Sequence, residues 1–129
     1  MIFIISFSLA GCYSKSSTNP EEVYKYWLGE KPPKELKIIN GSYYQSPHFT
    51  LEYEVFLEME VTKTWWKDFI RINNLSLDNT SSDFLTELPE WFKFNSSYTK
   101  YSNKDKYDRS AYFINLKNGK CFIYETLGI

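Results

Sequence analysis

The stretch TLEYEVFLEMEVT, residues 50–62, decides the fold. Six apolar side chains occupy alternate positions of this stretch, and four glutamates, one phenylalanine and one threonine lie between them. Successive side chains of a β-strand point to opposite faces, so a period of two predicts a strand with one buried face and one solvated face. Because a slip of one residue would bury all the glutamates, the pattern also fixes the register of this strand.

The chain before this strand predicts a short helix and a second strand. Residues 21–28 carry apolar side chains at helical spacing, and Asn19 is placed to cap the helix at its N-terminus. Residues 36–45 predict a strand that is interrupted at Asn40-Gly41. That dipeptide suits either a tight hairpin turn or a bulge, and the few residues before it favour the bulge.

The chain after the central strand predicts the main helix. It runs from about Trp65 to Asn73, with Thr62 or Thr64 as its N-cap. Asn74 suits the left-handed conformation that commonly ends a helix, with the next residue folding back as an apolar contact.

The end of the chain predicts a β-hairpin. Two alternating apolar runs, residues 112–116 and 121–125, flank Asn118-Gly119, which is the strongest short-range hairpin signal. A two-residue turn would place Leu116 opposite Cys121, Ile114 opposite Ile123 and Tyr112 opposite Glu125 on the inward face of the hairpin.

The other face of this hairpin, the hairpin aromatic face, carries Phe113, Phe122 and Tyr124. If it is open to solvent, it forms an apolar patch of the kind that marks interaction sites. The alternative is that a loop or the first helix covers it. The three residues are therefore the candidate surface for a protein partner.

These elements add up to an α+β domain. We expect a single antiparallel sheet of about four or five strands, with one main helix packed on one face and a C-terminal β-hairpin. A chain of 129 residues fits one domain, and its 19% aromatic content favours a sheet.

The N-terminus predicts export. Residues 1–11 form a short apolar run, whereas a membrane-spanning helix needs ~20 residues, so the run is typical of a signal peptide. Its end, Leu9-Ala10-Gly11-Cys12, resembles the lipobox of bacterial lipoproteins. The resemblance implies cleavage before Cys12, a diacylglycerol on its thiol and acylation of the new amine. No Lys or Arg precedes the run, which favours a translation start upstream of Met1.

The resemblance also implies a location. Residues 12–20 are polar after the acylated cysteine and predict a flexible tether, followed by a single domain over residues 21–129. No Asp follows Cys12, which by the same resemblance favours the outer membrane, with the domain at its periplasmic face. The membrane is therefore one expected partner.

The glutamates of the central strand, which we call the acidic stripe, are the candidate catalytic groups. Carboxylates two positions apart on one face of a strand lie ~7 Å apart, which is within the range of inverting glycosidases. A catalytic acid needs a raised pKa, and a solvated face offers no burial to raise it. The alternative is a solvated row paired with lysines. The stripe is Glu52, Glu54, Glu58 and Glu60, and the lysines are Lys37, Lys117 and Lys120.

Other candidates for chemistry are isolated. His48 is the only histidine and lacks a partner for a zinc site, and Cys121 lies among apolar neighbours. The sequence has no Gly-rich phosphate loop, Gly-x-Ser-x-Gly, His-Glu-x-x-His or Cys-x-x-Cys, so it predicts no metal and no cofactor. A net charge of −1 gives no footprint for nucleic acid.

Taken together, the sequence favours a non-enzymatic binding or interaction module, anchored in the envelope as an accessory subunit or an immunity-type protein. The domain with its aromatic Asn-Gly hairpin resembles small lipoproteins of unknown function, a likeness that transfers no site residues. The alternative is a hydrolase of envelope glycans or lipids that uses the acidic stripe. A tethered spacer without a dedicated partner is the third possibility.

Overall fold

One antiparallel sheet organises the chain. The computed structural model describes residues 14–47, 52–82, 84, 86–104 and 108–128. Within them the sheet has seven strands in the order β1-β2-β3-β7-β6-β5-β4, and every neighbouring pair is antiparallel. The strands are β1 (Lys15–Ser17), β2 (Lys37–Gln45), β3 (Tyr53–Glu60), β4 (Ser76–Leu77), β5 (Thr99–Ser102), β6 (Ala111–Ile114) and β7 (Lys120–Leu127).

Helix α1 (Pro20–Leu28) follows β1 and begins and ends as its sequence predicts. The Asn19 side chain accepts a hydrogen bond from the backbone N–H of Glu22 at 3.0 Å, which satisfies one of the free donors of the first turn. Gly29 ends the helix in the left-handed conformation, with φ 78°.

Helix α2 (Lys63–Ile72) is the predicted main helix. Of its two candidate caps, Thr62 is the one used, and its hydroxyl accepts from the N–H of Trp65 at 3.0 Å. Asn74 has φ 53°, and the N–H of the next residue, Leu75, returns to the carbonyl of Ile70 at 3.0 Å. Within the described residues, no helix combines the length and the apolar character needed to cross a bilayer.

Both helices pack on the same face of the sheet. Val55, Leu57 and Met59 of β3 point to this face and are fully buried, as the alternating pattern predicts. The rings of Trp27 and Phe69 meet edge to face with centroids 5.6 Å apart, which joins α1 to α2 above the sheet. We call the apolar cluster between the helices and the sheet the helix-side core.

The opposite face of the sheet is also covered, which corrects the prediction of a solvated face. Phe56 of β3 is only 4% exposed, because the segment from Phe84 to Tyr98 crosses this face and packs Phe92 against it. This segment has no helical or strand period, so the sequence pattern did not identify it as a cover. We call the cluster beneath it the loop-side core.

The strand count differs from the four or five expected, because the sheet has short strands at its edges. β1 lies inside the predicted tether, residues 12–20, and pairs with Tyr43–Gln45 of β2. β4 has two residues and pairs with β5. Strands this short and polar show no alternation of apolar and polar side chains, so the sequence pattern does not predict them. Backbone hydrogen bonds to an open sheet edge are enough to form them. The predicted bulge in β2 is confirmed, since the register shifts between Ile38 and Asn40.

The C-terminal hairpin is confirmed, but its register differs by two residues. Asn115 N–H donates to the Lys120 carbonyl at 2.9 Å, which leaves a four-residue loop in place of the expected two-residue turn. Ile114 therefore pairs with Cys121 and Tyr112 with Ile123. A shift of two keeps the paired side chains on their predicted faces, but Leu116, which was predicted to face inward, lies in the loop and is 53% exposed.

The hairpin loop depends on Gly119. This residue has φ 76°, and a Cβ placed on it would lie 2.4 Å from the carbonyl oxygen of Val61. The Gly119 carbonyl in turn accepts from the N–H of Val61 at 2.8 Å, so the loop is held against the end of β3. Gly29 has a similar φ of 78° with nothing within 4 Å of the same position, which makes it a matched control.

We expect Gly29→Ala to cost about 1–2 kcal/mol of unfolding free energy, which is the cost of a left-handed non-glycine residue. Gly119→Ala should cost about 1–3 kcal/mol more, because the loop must also move away from Val61. Urea unfolding followed by tyrosine and tryptophan fluorescence measures both losses. Equal losses would show that the backbone contact at Gly119 adds nothing.

Candidate functional site

The hairpin aromatic face is buried, which confirms the alternative of a covering loop and corrects the assignment of this face as a candidate surface for a protein partner. Phe113 and Phe122 are each 3% exposed, and Tyr124 is fully buried. The covering segment places Phe92 edge-on to Phe122 with centroids 5.2 Å apart, and Phe84 edge-on to Tyr124 at 4.9 Å. These three side chains therefore belong to the loop-side core and lie beneath a covering loop.

One aromatic ring of the cover remains partly open to solvent. Phe94 is 36% exposed and stacks on Phe113 with ring centroids 3.9 Å apart. Beside it lies an open cavity of about 470 Å³, the aromatic cavity, which Phe84 and Tyr98 also line. The hairpin aromatic face is therefore buried, but Phe94, the ring that covers Phe113, is accessible to solvent.

Asp78 and Lys100 form the polar wall of this cavity. The Lys100 ammonium lies 3.3 Å from Asp78 Oδ2 and donates to the Thr80 carbonyl at 3.0 Å. Asp78 also accepts from the Thr80 hydroxyl at 2.6 Å, the Thr80 N–H at 2.8 Å and the Ser102 hydroxyl at 2.7 Å. The hydrogen bond from the Thr80 hydroxyl, reinforced by these other donors, holds the pKa of Asp78 well below its usual range.

A second cavity of about 540 Å³ adjoins the same ion pair and is lined by Ser102, Lys104, Asp108 and Arg109. Asp78 and Lys100 therefore separate two open depressions, one aromatic and one polar. A carboxylate held ionised by so many donors accepts hydrogen bonds and does not deliver protons near neutral pH. This arrangement suits recognition better than acid–base chemistry.

A second polar cluster lies on the helix side, around Glu125 of β7. Its Oε2 accepts from the Trp27 indole N–H at 2.8 Å and from the Tyr53 hydroxyl at 2.6 Å, and its Oε1 accepts from the Tyr112 hydroxyl at 2.6 Å. These three bonds tie α1, β3 and β6 to one carboxylate. The sequence patterns did not predict this cluster, although a charged residue at the inward position after Cys121 and Ile123 was a signal for it.

Burial and Glu125 together keep the two tyrosines of this cluster protonated. Burial raises the pKa of Tyr53 and of Tyr112 well above the ordinary value of 10.0, and the negative charge of Glu125 and its hydrogen bonds raise it further. Both hydroxyls therefore remain donors to the carboxylate throughout the physiological range.

Two glutamates of the acidic stripe are hydrogen-bonded to other side chains of the fold. Glu54 accepts from the Thr86 hydroxyl at 3.0 Å and from the Tyr124 hydroxyl at 3.2 Å, and Glu58 accepts from the Asn40 amide at 2.8 Å. Four cavities of about 700, 540, 470 and 190 Å³ lie among the described residues, and none of them is lined by two glutamates of the stripe.

The ends of the stripe have separate surroundings. Glu52 accepts from the Ser46 hydroxyl at 3.1 Å. Glu60 lies opposite Lys37 and Lys120 in the register of the sheet, in keeping with the expected lysine neighbours, and lines a cavity of about 700 Å³ near the start of β2.

Cys121 contributes no reactive group to these sites. Cys121 is fully buried, and this burial raises the pKa of its thiol far above the usual value. Cys12, the predicted lipid attachment residue, and His48 lie outside the described residues. The described part of the chain contains no group of three or more His, Cys, Asp or Glu side chains placed to hold a metal ion.

Comparison of the chain with protein-family models, curated proteins and solved structures gives no match.

The tyrosine pKa shifts predict a loss of stability at alkaline pH. Above pH 10 the unfolded chain releases tyrosine protons that the folded chain retains, so the free energy of unfolding falls as the pH rises. In Tyr112→Phe this decline should be shallower by about 1.4 kcal/mol per pH unit, because one such group is gone. Urea unfolding on either side of pH 10 measures the slope, with the exposed Tyr44→Phe as control. Equal slopes in the two variants would contradict the assignment.

Proposed function

We propose that this chain is a lipoprotein of the bacterial cell envelope and that its domain acts by binding. Acyl chains on Cys12 hold it in the membrane, with the domain at the periplasmic face of the outer membrane. The observation that supports the proposal most is the short apolar run that ends in the lipobox-like Leu9-Ala10-Gly11-Cys12. This cysteine precedes Lys15, the first residue of β1, by three positions. A lipid on Cys12 would therefore be attached almost directly to a sheet.

The energetics of acylation fit a permanent anchor. Each buried CH₂ group contributes about 0.8 kcal/mol, and one acyl chain alone gives only marginal, reversible membrane binding. The diacylglycerol and the further acyl chain that the lipobox resemblance implies would supply several chains at one residue. No other membrane contact is needed for stable attachment.

The binding role is supported by the aromatic cavity. Phe94 offers an exposed ring that is held rigidly by its stack on Phe113, and rigid aromatic side chains are favoured anchors at interfaces. The fixed Asp78–Lys100 pair beside it can orient a polar group of the partner. We infer that a protein partner inserts an apolar side chain against Phe94, as expected of an accessory or immunity-type protein.

The alternative of a hydrolase acting through the acidic stripe has weaker support. Glu54 and Glu58 are already engaged by side chains of the fold, and a general acid needs a raised pKa and a substrate-sized pocket between two carboxylates. The binding role requires neither.

The anchor is tested by replacing its sulfur. We expect Cys12→Ser to leave the membrane fraction and to retain its apolar leader, whereas Tyr13→Phe should behave as the wild type. Mass spectrometry of the wild-type protein should show an amino-terminal Cys12 that carries lipid. An unmodified Cys12 in the native protein, or membrane recovery of Cys12→Ser equal to wild type, would refute the anchor.

The binding role is tested by photo-crosslinking in intact cells. A photoreactive phenylalanine analogue at position 94 should give one discrete protein adduct. The same analogue at position 116, where Leu116 is 53% exposed in the hairpin loop, should not give this adduct. Adducts that are absent at both positions, or identical at both, would contradict a partner at the aromatic cavity.

A further inference from the structure

One end of the sheet lies where the anchor would be. Lys15, Gln45, Tyr53 and Leu127 form a row of paired residues across β1, β2, β3 and β7. The chain enters β1 at the first of these residues, so Cys12 precedes the sheet at this end. We call it the anchor end.

The connection between Cys12 and the sheet is short. Three residue steps reach at most about 11 Å even when fully extended. Strand β7 alone, from Lys120 to Leu127, extends for ~24 Å at the usual rise per residue. The acylated cysteine must lie at the membrane surface, so this reach leaves the domain too little freedom to turn its opposite end toward the lipid.

The anchor end also exposes apolar side chains. Tyr44 is 47% exposed and pairs with Ser16 of β1, and Leu127 is 46% exposed in the terminal row. Helix α2 ends here too, because Asn73 lines a small cavity together with Leu127, and the neighbouring Ile72 is 70% exposed. Amphipathic rings and scattered aliphatic groups of this kind suit the interfacial zone of a bilayer.

Cations accompany these side chains. The Lys15 ammonium lies 3.9 Å from the ring centroid of Tyr26, and Arg71 stands in the last turn of α2 beside Asp68. Cationic side chains near a membrane surface are attracted to anionic headgroups. Acidic groups lie at the same end, because Asp68 pairs with Arg71, Glu52 precedes Tyr53 and Asp108 lines the small cavity with Leu127. The anchor end therefore combines a short tether and exposed apolar groups with charges of both signs.

We propose that the anchored domain rests on the bilayer with this end down, so that Tyr44, Ile72 and Leu127 touch the headgroup region. The partner of this surface is the lipid that holds Cys12, and the inference rests on the proposed acyl anchor. It deepens the binding proposal, because Phe113 at the aromatic cavity lies five residue steps up the sheet, in the row of Phe122. That places the cavity ~17 Å above the terminal row, clear of the headgroups.

The test places a fluorophore at either end of the full-length, acylated protein. Leu127→Cys and Leu116→Cys are labelled with bimane, while Cys121 is buried and the Cys12 thiol carries lipid. The protein is reconstituted into vesicles of phosphatidylethanolamine and phosphatidylglycerol that contain a lipid with a nitroxide on its headgroup. We expect several-fold stronger quenching at position 127 than at position 116.

A variant with a longer tether is the matched control. A flexible insert of about ten Gly and Ser residues between Tyr13 and Ser14 adds a mean reach of ~17 Å. Quenching at position 127 should then fall, while the protein still floats with the vesicles. Unchanged quenching in this variant would contradict a contact imposed by the short tether.

The outcomes separate the two proposals. Equal quenching at both positions in protein that floats with the vesicles would overturn the orientation and leave the anchor intact. Protein that fails to float would refute the anchor, and the orientation would fall with it.

Discussion

The double pairing of β3 is the constraint on which the rest of the structure depends. All eight of its residues have partners in β7 on one side and in β2 on the other. A strand paired along both edges cannot move sideways, and its period of two then decides which side chains face each layer. The two helices bury Val55, Leu57 and Met59 on one face of the sheet. The covering segment buries Phe56 on the other face.

That constraint explains how much of the fold the sequence could predict. The alternation in β3, the caps at Asn19 and Thr62 and the inward positions of the hairpin are local patterns, and each predicted its element correctly. The two-residue error in the hairpin register arose because Asn115, outside the Asn-Gly pair, closes the loop. Local signals fix side-chain faces more firmly than they fix register.

The parts that could not be predicted depend on contacts distant in sequence. The segment from Phe84 to Tyr98 shows no helical or strand periodicity. Its position depends on the burial of Phe56, Phe113 and Phe122 beneath it. The residues of the hairpin aromatic face were therefore predicted correctly, but local patterns could not decide whether that face is covered or open to solvent. The Glu125 cluster joins residues up to 98 positions apart, and no single-sequence pattern encodes the meeting of Trp27 with that carboxylate.

The two polar clusters have different consequences for function. Glu125 lies among Trp27, Tyr53 and Tyr112, so its hydrogen bonds stabilise the packing of α1 on the sheet and leave it little part in recognition. Asp78 and Lys100 are nearer the surface and lie between two open cavities. A rigid charge pair beside an exposed ring is pre-organised, which lowers the entropic cost of binding a partner.

The edges of the sheet connect the fold with the proposed anchor. An open strand edge invites pairing with another chain, and short polar strands at both edges reduce that hazard. β1 is three residues of Lys and Ser, and β4 has two residues. Because β1 is also the first part of the domain after Cys12, the strand that protects the edge of β2 is the one that an acyl anchor would hold. Any force on the tether therefore acts first on the β1–β2 backbone hydrogen bonds, while the helix-side core and the loop-side core lie beyond it.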